Sequence, residues 1–130
     1  MSQENVDFCR KQFEAISRGD WDVVAAGLDP HILVRTDPSW PEQHLYGREA
    51  VIEFDRSAVE SLGSDNRIEE IVDLGDRVLI RYCWSTRGQH SGLERELRWS
   101  EIVTVREGRV VFAELFLDHD QALKAVGLEE

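Results

Sequence analysis

Basic charge is scarce in this sequence. Fifteen lysines and arginines stand against 26 aspartates and glutamates, a formal charge of −11. No basic cluster offsets the deficit, so nucleic acid and anionic membrane are not expected partners: both would be repelled by such a surface. Long apolar runs are missing as well. Nothing approaches the ~18 residues of a membrane span, and the polar opening Met1–Asn5 has neither the basic start nor the apolar stretch of a secretion signal. Only two cysteines occur, Cys9 and Cys83, on different predicted elements and with no CxxC. They read as inert buried thiols packed like small hydrophobes, which suits a reducing, cytoplasmic setting. There is no GxSxG, Walker, GxGxxG or HExxH pattern, and His31, His44, His90 and His119 show no metal-ligand spacing. No metal and no cofactor are expected.

What is present fits one domain spanning residues 1–130, with 42% hydrophobic and 32% charged residues. Val6, Cys9, Phe13 and Ile16 recur at helical spacing and predict a helix over 4–17. Gly19 ends it in a left-handed cap, and Asp20 is placed to cap a second helix over 21–28, broken by Asp29-Pro30. Residues 31–36 read as a strand. Residues 37–46 read as a loop because Pro38 and Pro41 lie so close together. A third helix over 48–62 carries Val51, Phe54 (or Asp55), Ala58 and Leu62 on one stripe.

From residue 67 the period falls to two. Strands are predicted over 67–73, 77–87, 93–106 and 109–117, joined by Leu74-Gly75-Asp76, Gly88–Gly92 and Glu107-Gly108. Asp118 and Gln121 have the spacing of a capping box before a last helix over 119–126. Helices first and an antiparallel meander afterwards predict an α+β fold, with helices on one face of a curved sheet.

Alternation assigns the faces. Val78, Ile80, Tyr82, Trp84 and Thr86 share one side, and Leu97, Trp99, Glu101, Val103 and Val105 another that is inward by apolar content. In the last strand Val111, Ala113, Leu115 and Leu117 oppose Val110, Phe112, Glu114 and Phe116. Glu101 is therefore a carboxylate in an apolar row. It must pair with a cation, reach solvent, or serve as a pocket acid or base. Phe112 and Phe116 beside Ile102 make an apolar outer patch, and the expectation is a homodimer packed sheet against sheet, with a C-terminal tail folded over the patch as the alternative.

The strings FEAISRGDWDVVAAGLDPHILV, LYGREAVIEF, VDLGDRVLIRY, VTVREGRVVFAELFLD and ALKAVGL, in this order, resemble a SnoaL-like, polyketide-cyclase-like member of the nuclear transport factor 2-like superfamily. The resemblance covers nearly the whole chain. It implies a cone-shaped fold with a curved, mostly antiparallel sheet wrapped on about three helices, around a pocket for a small organic ligand.

The fold hosts isomerases, cyclases, dehydratases, epoxide hydrolases and non-catalytic binders, so it does not fix an activity. The ketosteroid isomerases of the superfamily carry an Asp base at the end of the first strand. Here that position falls on Arg35, which cannot accept a proton at neutral pH. Their oxyanion-binding acid falls on Glu101, and their tyrosine donor falls near Gln12 or Phe13, neither a phenol. Steroid isomerisation is therefore not expected.

Arg35 and Glu101 are expected to enter the cavity and pair. In an enzyme Glu101 would be the acid/base and Arg35 would stabilise negative charge. Tyr82, Trp84 and Trp99 would form walls, with Phe13, Phe54, Val103, Ala113 and Leu115 also facing the pocket and Trp40, His44 and Tyr46 at its mouth. Asp55 lies one residue off the apolar stripe and becomes a second pocket carboxylate if its helix is rotated slightly. Three function classes follow: a cofactor-independent acid/base enzyme on an apolar substrate, a non-catalytic ligand-binding or dimerisation module, and a partner-binding scaffold with a filled interior.

Overall fold

The computed structural model describes residues 2–63, 65–87 and 94–128. Helix α1 (Ser2–Arg18) turns the predicted stripe inward. Val6 and Cys9 are buried, and Phe13 and Ile16 pack on the core. Gly19 adopts φ +73°, and the N–H groups of Gly19 and Asp20 donate back to the carbonyls of Ile16 and Ala15. Glycine reaches this left-handed cap without the penalty a Cβ brings.

Helix α2 (Trp21–Ala26) follows, but the Asp20 side chain makes no capping bond. After it comes Gly27, where a Cβ would lie 2.4 Å from the Gln12 side chain. The Gln12 amide donates to the Val24 carbonyl at 3.1 Å, so α1 and α2 approach through the space a side chain would fill.

Strand β1 (Leu28–Arg35) starts earlier than expected and takes Asp29-Pro30 into the sheet. It does so at a register irregularity between Leu28 and Leu33, where a proline costs no ladder bond. The predicted loop 37–46 ends in a short strand, β2 (His44–Tyr46), antiparallel to β1. Helix α3 (Arg48–Leu62) is held to β1 by Arg48, whose guanidinium donates twice to the Leu28 carbonyl at 3.0 and 2.8 Å.

Strands β3 (Asn66–Asp73), β4 (Arg77–Arg87), β5 (Glu94–Arg106) and β6 (Arg109–Phe116) form the expected meander. The Glu107-Gly108 turn has φ +51° and +75°, the positive pair of a two-residue hairpin. The Gly88–Gly92 joint and His90 lie outside the described residues. Helix α4 (His119–Ala125) closes the order. Asp118 caps it by accepting the Asp120 N–H at 2.9 Å, without the reciprocal bond of a capping box among the described residues.

The strands align as β2-β1-β6-β5-β4-β3, with β1 parallel to β6 and every other pairing antiparallel. Helices α1, α2 and α3 pack on the inner face around Val24, Ile80, Tyr82, Val103 and Ala113. Helix α4 packs on the outer face over Leu79 and Ile102.

One face assignment is corrected, and the outer patch proves partly covered. The register slips between Thr104 and Val105, so Val110 rather than Val111 joins Ala113 and Leu115 on the inner face. Ile102 is 1% exposed beneath α4, with Phe116 packed on the same cluster. The chain covers that part of the expected dimer patch with its own last helix, because Ala122, Leu123 and Val126 fill the place a partner would take. Phe112 stays half-buried on the outer face under the Arg35 guanidinium, 5.9 Å from its ring centre.

Candidate functional site

Between the three helices and the inner face of the sheet lies a cavity of about 170 Å³. Each wall follows from a periodicity in the chain. From α1 come Cys9, Gln12, Phe13 and Ile16, and from α3 come Val51, Phe54, Asp55, Ala58 and Leu62. An apolar helix face is about 100° wide, so positions 54 and 55 both enter. Strand β4 gives Ile80, Tyr82 and Trp84; β5 gives Leu97, Trp99, Glu101 and Val103; β6 gives Val110, Ala113 and Leu115.

One aromatic row runs along the inner face. Phe13 stacks on Tyr82 at 5.6 Å, Tyr82 meets Trp99 at 5.2 Å, and Trp99 meets Trp84 at 5.3 Å. Trp40 and Phe54 make a separate pair at 5.6 Å. These spacings fall in the favourable range for offset rings.

Glu101 sits in this apolar setting because of sheet register. Tyr82 pairs with Trp99 across β4 and β5, and Glu101 lies two residues on, on the same face. At that diagonal the Tyr82 hydroxyl donates to Glu101 Oε1 at 2.9 Å. Burial pushes the Glu101 carboxyl up to about 7, against the opposing pull of that hydrogen bond. Asp55 has no hydrogen bond or counter-ion among the described residues. Burial, and secondarily the Glu101 charge, push it up to about 8. The two carboxyls titrate as a coupled pair around neutrality.

Tyr82 is driven well above its ordinary value by burial and then by the Glu101 charge, so it remains a phenol. Cys9 is pushed up to about 12 by burial and by Glu101, and remains a thiol. No lysine, arginine or histidine lines the cavity among the described residues.

The expected Arg35–Glu101 pair does not form. Arg35 is in register with Glu114 on the outer face, and the two make an ion pair at 3.1 Å. One residue of alternation decides this: Val34 faces the cavity, so Arg35 faces away. His44 and Tyr46 are corrected too. Both are exposed on edge strand β2, Tyr46 at 71%, with Leu45 between them turned to the core.

Of the expected mouth residues only Trp40 reaches the cavity. Its loop is tied to the end of β6 by Asp37, which accepts the Leu117 N–H at 2.8 Å and the Ser39 N–H at 2.9 Å. Burial raises the Asp37 carboxyl, but these bonds and that of the Ser39 hydroxyl outweigh it and hold the group below its ordinary value. Phe13, Phe54, Asp55, Tyr82, Trp84, Trp99, Glu101, Val103, Ala113 and Leu115 all line the chamber. Among the polar lining residues, Gln12 and Asn66 were not expected there. Gln12 was legible, since 9, 12, 13 and 16 form one helical stripe. Asn66 at the start of β3 carried no signal.

Helices packed on one face of a mixed, curved sheet, with a chamber between the layers, define the nuclear transport factor 2-like class of α+β protein. The SnoaL-like domain family matches residues 9–113, and the chain belongs to that family. Among solved structures it is similar to a protein described as a SnoaL-like polyketide cyclase from Jannaschia sp. CCS1, at 18% identity and TM-score 0.74 over 100% of this chain and 96% of that one. It is also similar to a nuclear transport factor 2-like protein from Burkholderia xenovorans LB400, at 26% identity and TM-score 0.72 over 97% of each chain. A nuclear transport factor 2-like protein of unknown function from Burkholderia pseudomallei K96243 matches at 23% identity and TM-score 0.71 over 97% of this chain and 98% of that one. No curated protein matches the sequence. No helix is long and apolar enough to cross a membrane among the described residues.

Proposed function

We propose that this protein binds a small, flat, mostly apolar organic molecule in its chamber and moves a proton on it, with Glu101 as the base. The family supports a small-molecule-binding fold, and the Jannaschia protein's description as a polyketide cyclase agrees with chemistry on such compounds. One observation carries the reading: two carboxyls, Asp55 and Glu101, share one apolar cavity with no cation among its described lining, and burial pushes them up to about 8 and about 7. A carboxylate with a value near 7 accepts a proton far better than one near 4.5, and a neighbouring neutral carboxyl donates a hydrogen bond to developing negative charge. Asp55 therefore takes the part that the sequence assigned to Arg35. Tyr82 orients Glu101 through its hydroxyl.

The test uses 5-nitrobenzisoxazole, a flat neutral probe that reports proton abstraction. A base removes the C3 proton, the N–O bond breaks, and a coloured cyanophenolate leaves. Turnover is expected to rise with pH through about 7 as Glu101 ionises, and Glu101→Gln is expected to lower it by about 100-fold, the usual scale of general-base catalysis. Full turnover in Glu101→Gln removes the assignment. Binding of the probe, seen as tryptophan quenching, with no turnover at any pH points instead to a non-catalytic ligand binder.

A further inference from the structure

Two acceptors of the chamber have no protein donor among the described residues. Three of the donors that line it are already engaged inside the protein. The Tyr82 hydroxyl donates to Glu101, the Trp84 indole to the Gly63 carbonyl at 2.8 Å, and the Gln12 amide to the Val24 carbonyl. Acceptors are left over. Asp55 has no donor among the described residues, and Asn66, which also lines the cavity, keeps its side-chain carbonyl oxygen buried and unpartnered. An orphaned buried acceptor has lost its water without replacement, and a ligand that donates restores the bond. Tyr82, Trp84 and Trp99 line the same cavity, and aromatic rings attract positive charge through their quadrupoles. No arginine, lysine or histidine of the described lining competes for that place.

We propose that the chamber is a site for a small lipophilic amine, taken up as its ammonium ion, with the nitrogen between Asp55 and Glu101 and the hydrocarbon part against the aromatic row. The proposal rests on the reading of the chamber as a ligand site and names the chemical class of its occupant. The carboxyls are desolvated when the chain folds, whether or not a ligand is bound. An entering cation therefore finds them poorly solvated and relieves the repulsion between them. The chain's net charge of −11 steers cations toward it as well.

Size narrows the class. A cavity of about 150 Å³ holds benzene, so the observed 170 Å³ suits one ring with a short aminoalkyl arm. The titratable groups facing the nitrogen are Glu101 from β5, Asp55 from α3, Tyr82 from β4 and Cys9 from α1. The last two stay neutral, so only the carboxyl pair sets the pH response. Ammonium binding ionises one carboxyl of that pair, and its proton passes to solvent while the other carboxyl stays neutral.

The experiment compares three probes of one size, benzylamine, benzyl alcohol and benzoate, by tryptophan quenching and calorimetry on the full chain. At pH 8 benzylamine is expected to bind at least about tenfold more tightly than benzyl alcohol, with benzoate weakest. At pH 5.5, where both carboxyls are protonated, the preference is expected to shrink to about twofold or less. Calorimetry in buffers of different ionisation heat is expected to show proton release at pH 7. Asp55→Asn and Glu101→Gln are each expected to lose most of the amine preference while keeping a cooperative urea-unfolding transition, which separates loss of recognition from loss of folding. Benzyl alcohol or benzoate binding as well as benzylamine at pH 8 overturns the amine assignment and leaves the chamber a ligand site. Failure of all three to bind overturns both.

Discussion

On the outer face of the sheet, acidic side chains lie beside arginines. Arg98 bonds Glu69 at 2.8 Å and Glu96 at 2.9 Å, Arg67 reaches both glutamates, and Arg35 holds Glu114. The Glu69 carboxyl is held below its ordinary value chiefly by the Arg98 hydrogen bond, and that of Glu96 chiefly by the Cys83 thiol, which donates at 2.9 Å, and then by the Arg98 charge. On the inner face, behind the same strands, Asp55 and Glu101 lie among aromatic rings with no cation among the described lining residues, and are pushed up to about 8 and about 7. The outer arrangement minimises the free energy of each charge. The inner one leaves two groups destabilised when ionised, and such destabilisation is a common mark of sites that bind or react.

The sharpest way to break this contrast is to remove a wall of the inner face. Trp84 is 4% exposed and its indole bonds the Gly63 carbonyl. Trp84→Ala is expected to cost about 3–5 kcal/mol in urea unfolding. A cost below about 1 kcal/mol would mean that the aromatic row does not hold the layers together.

The second test concerns the carboxyl pair. Both have folded values raised above their ordinary 3.8 and 4.5. The folded state binds more protons than the unfolded chain between those limits, so their contribution to stability is complete below about pH 4 and is lost as pH rises through 7 and 8. The double variant Asp55→Asn, Glu101→Gln does not titrate there. It is expected to be several kcal/mol more stable than the parent at pH 8.5, with the gain fading toward pH 4. A pH-independent difference between the two unfolding curves would refute the raised values.

The smallest effect is expected outside. Arg35 is 57% exposed and its pair with Glu114 is open to solvent. Arg35→Met is expected to change stability by less than about 1 kcal/mol, less still in high salt, and to leave probe binding in the chamber untouched. Loss of binding would return Arg35 to the site.

Much of this architecture was legible from periodicity. The stripe of α1, the stripe of α3, the meander and its turns, and the inward row of Tyr82, Trp84, Trp99 and Glu101 all follow from spacing. What failed was counting across irregular segments. Asp29-Pro30 reads as a stop, yet it is absorbed into β1 at an irregular register, and a family position counted from it landed on an arginine that points out. The one-residue slip at Thr104 and Val105 exchanged Val111 for Val110 in the same way. His44 and Tyr46 look like mouth residues because aromatic and titrating groups near prolines suggest a rim. Their pairing with β1 turns both away from the core.

Composition and alternation by themselves determined that this chain folds as helices against a meander, and that a carboxylate stands in the sheet's apolar row. These are local properties, fixed by the two- and 3.6-residue periods of strand and helix. Tertiary structure alone decided that Glu101 meets a tyrosine and not an arginine, that Asp55 shares its chamber, and that α4 covers Ile102. Partners across a fold depend on register, irregular pairings and helix rotation, and a shift of one residue in any of these sends a side chain to the opposite face.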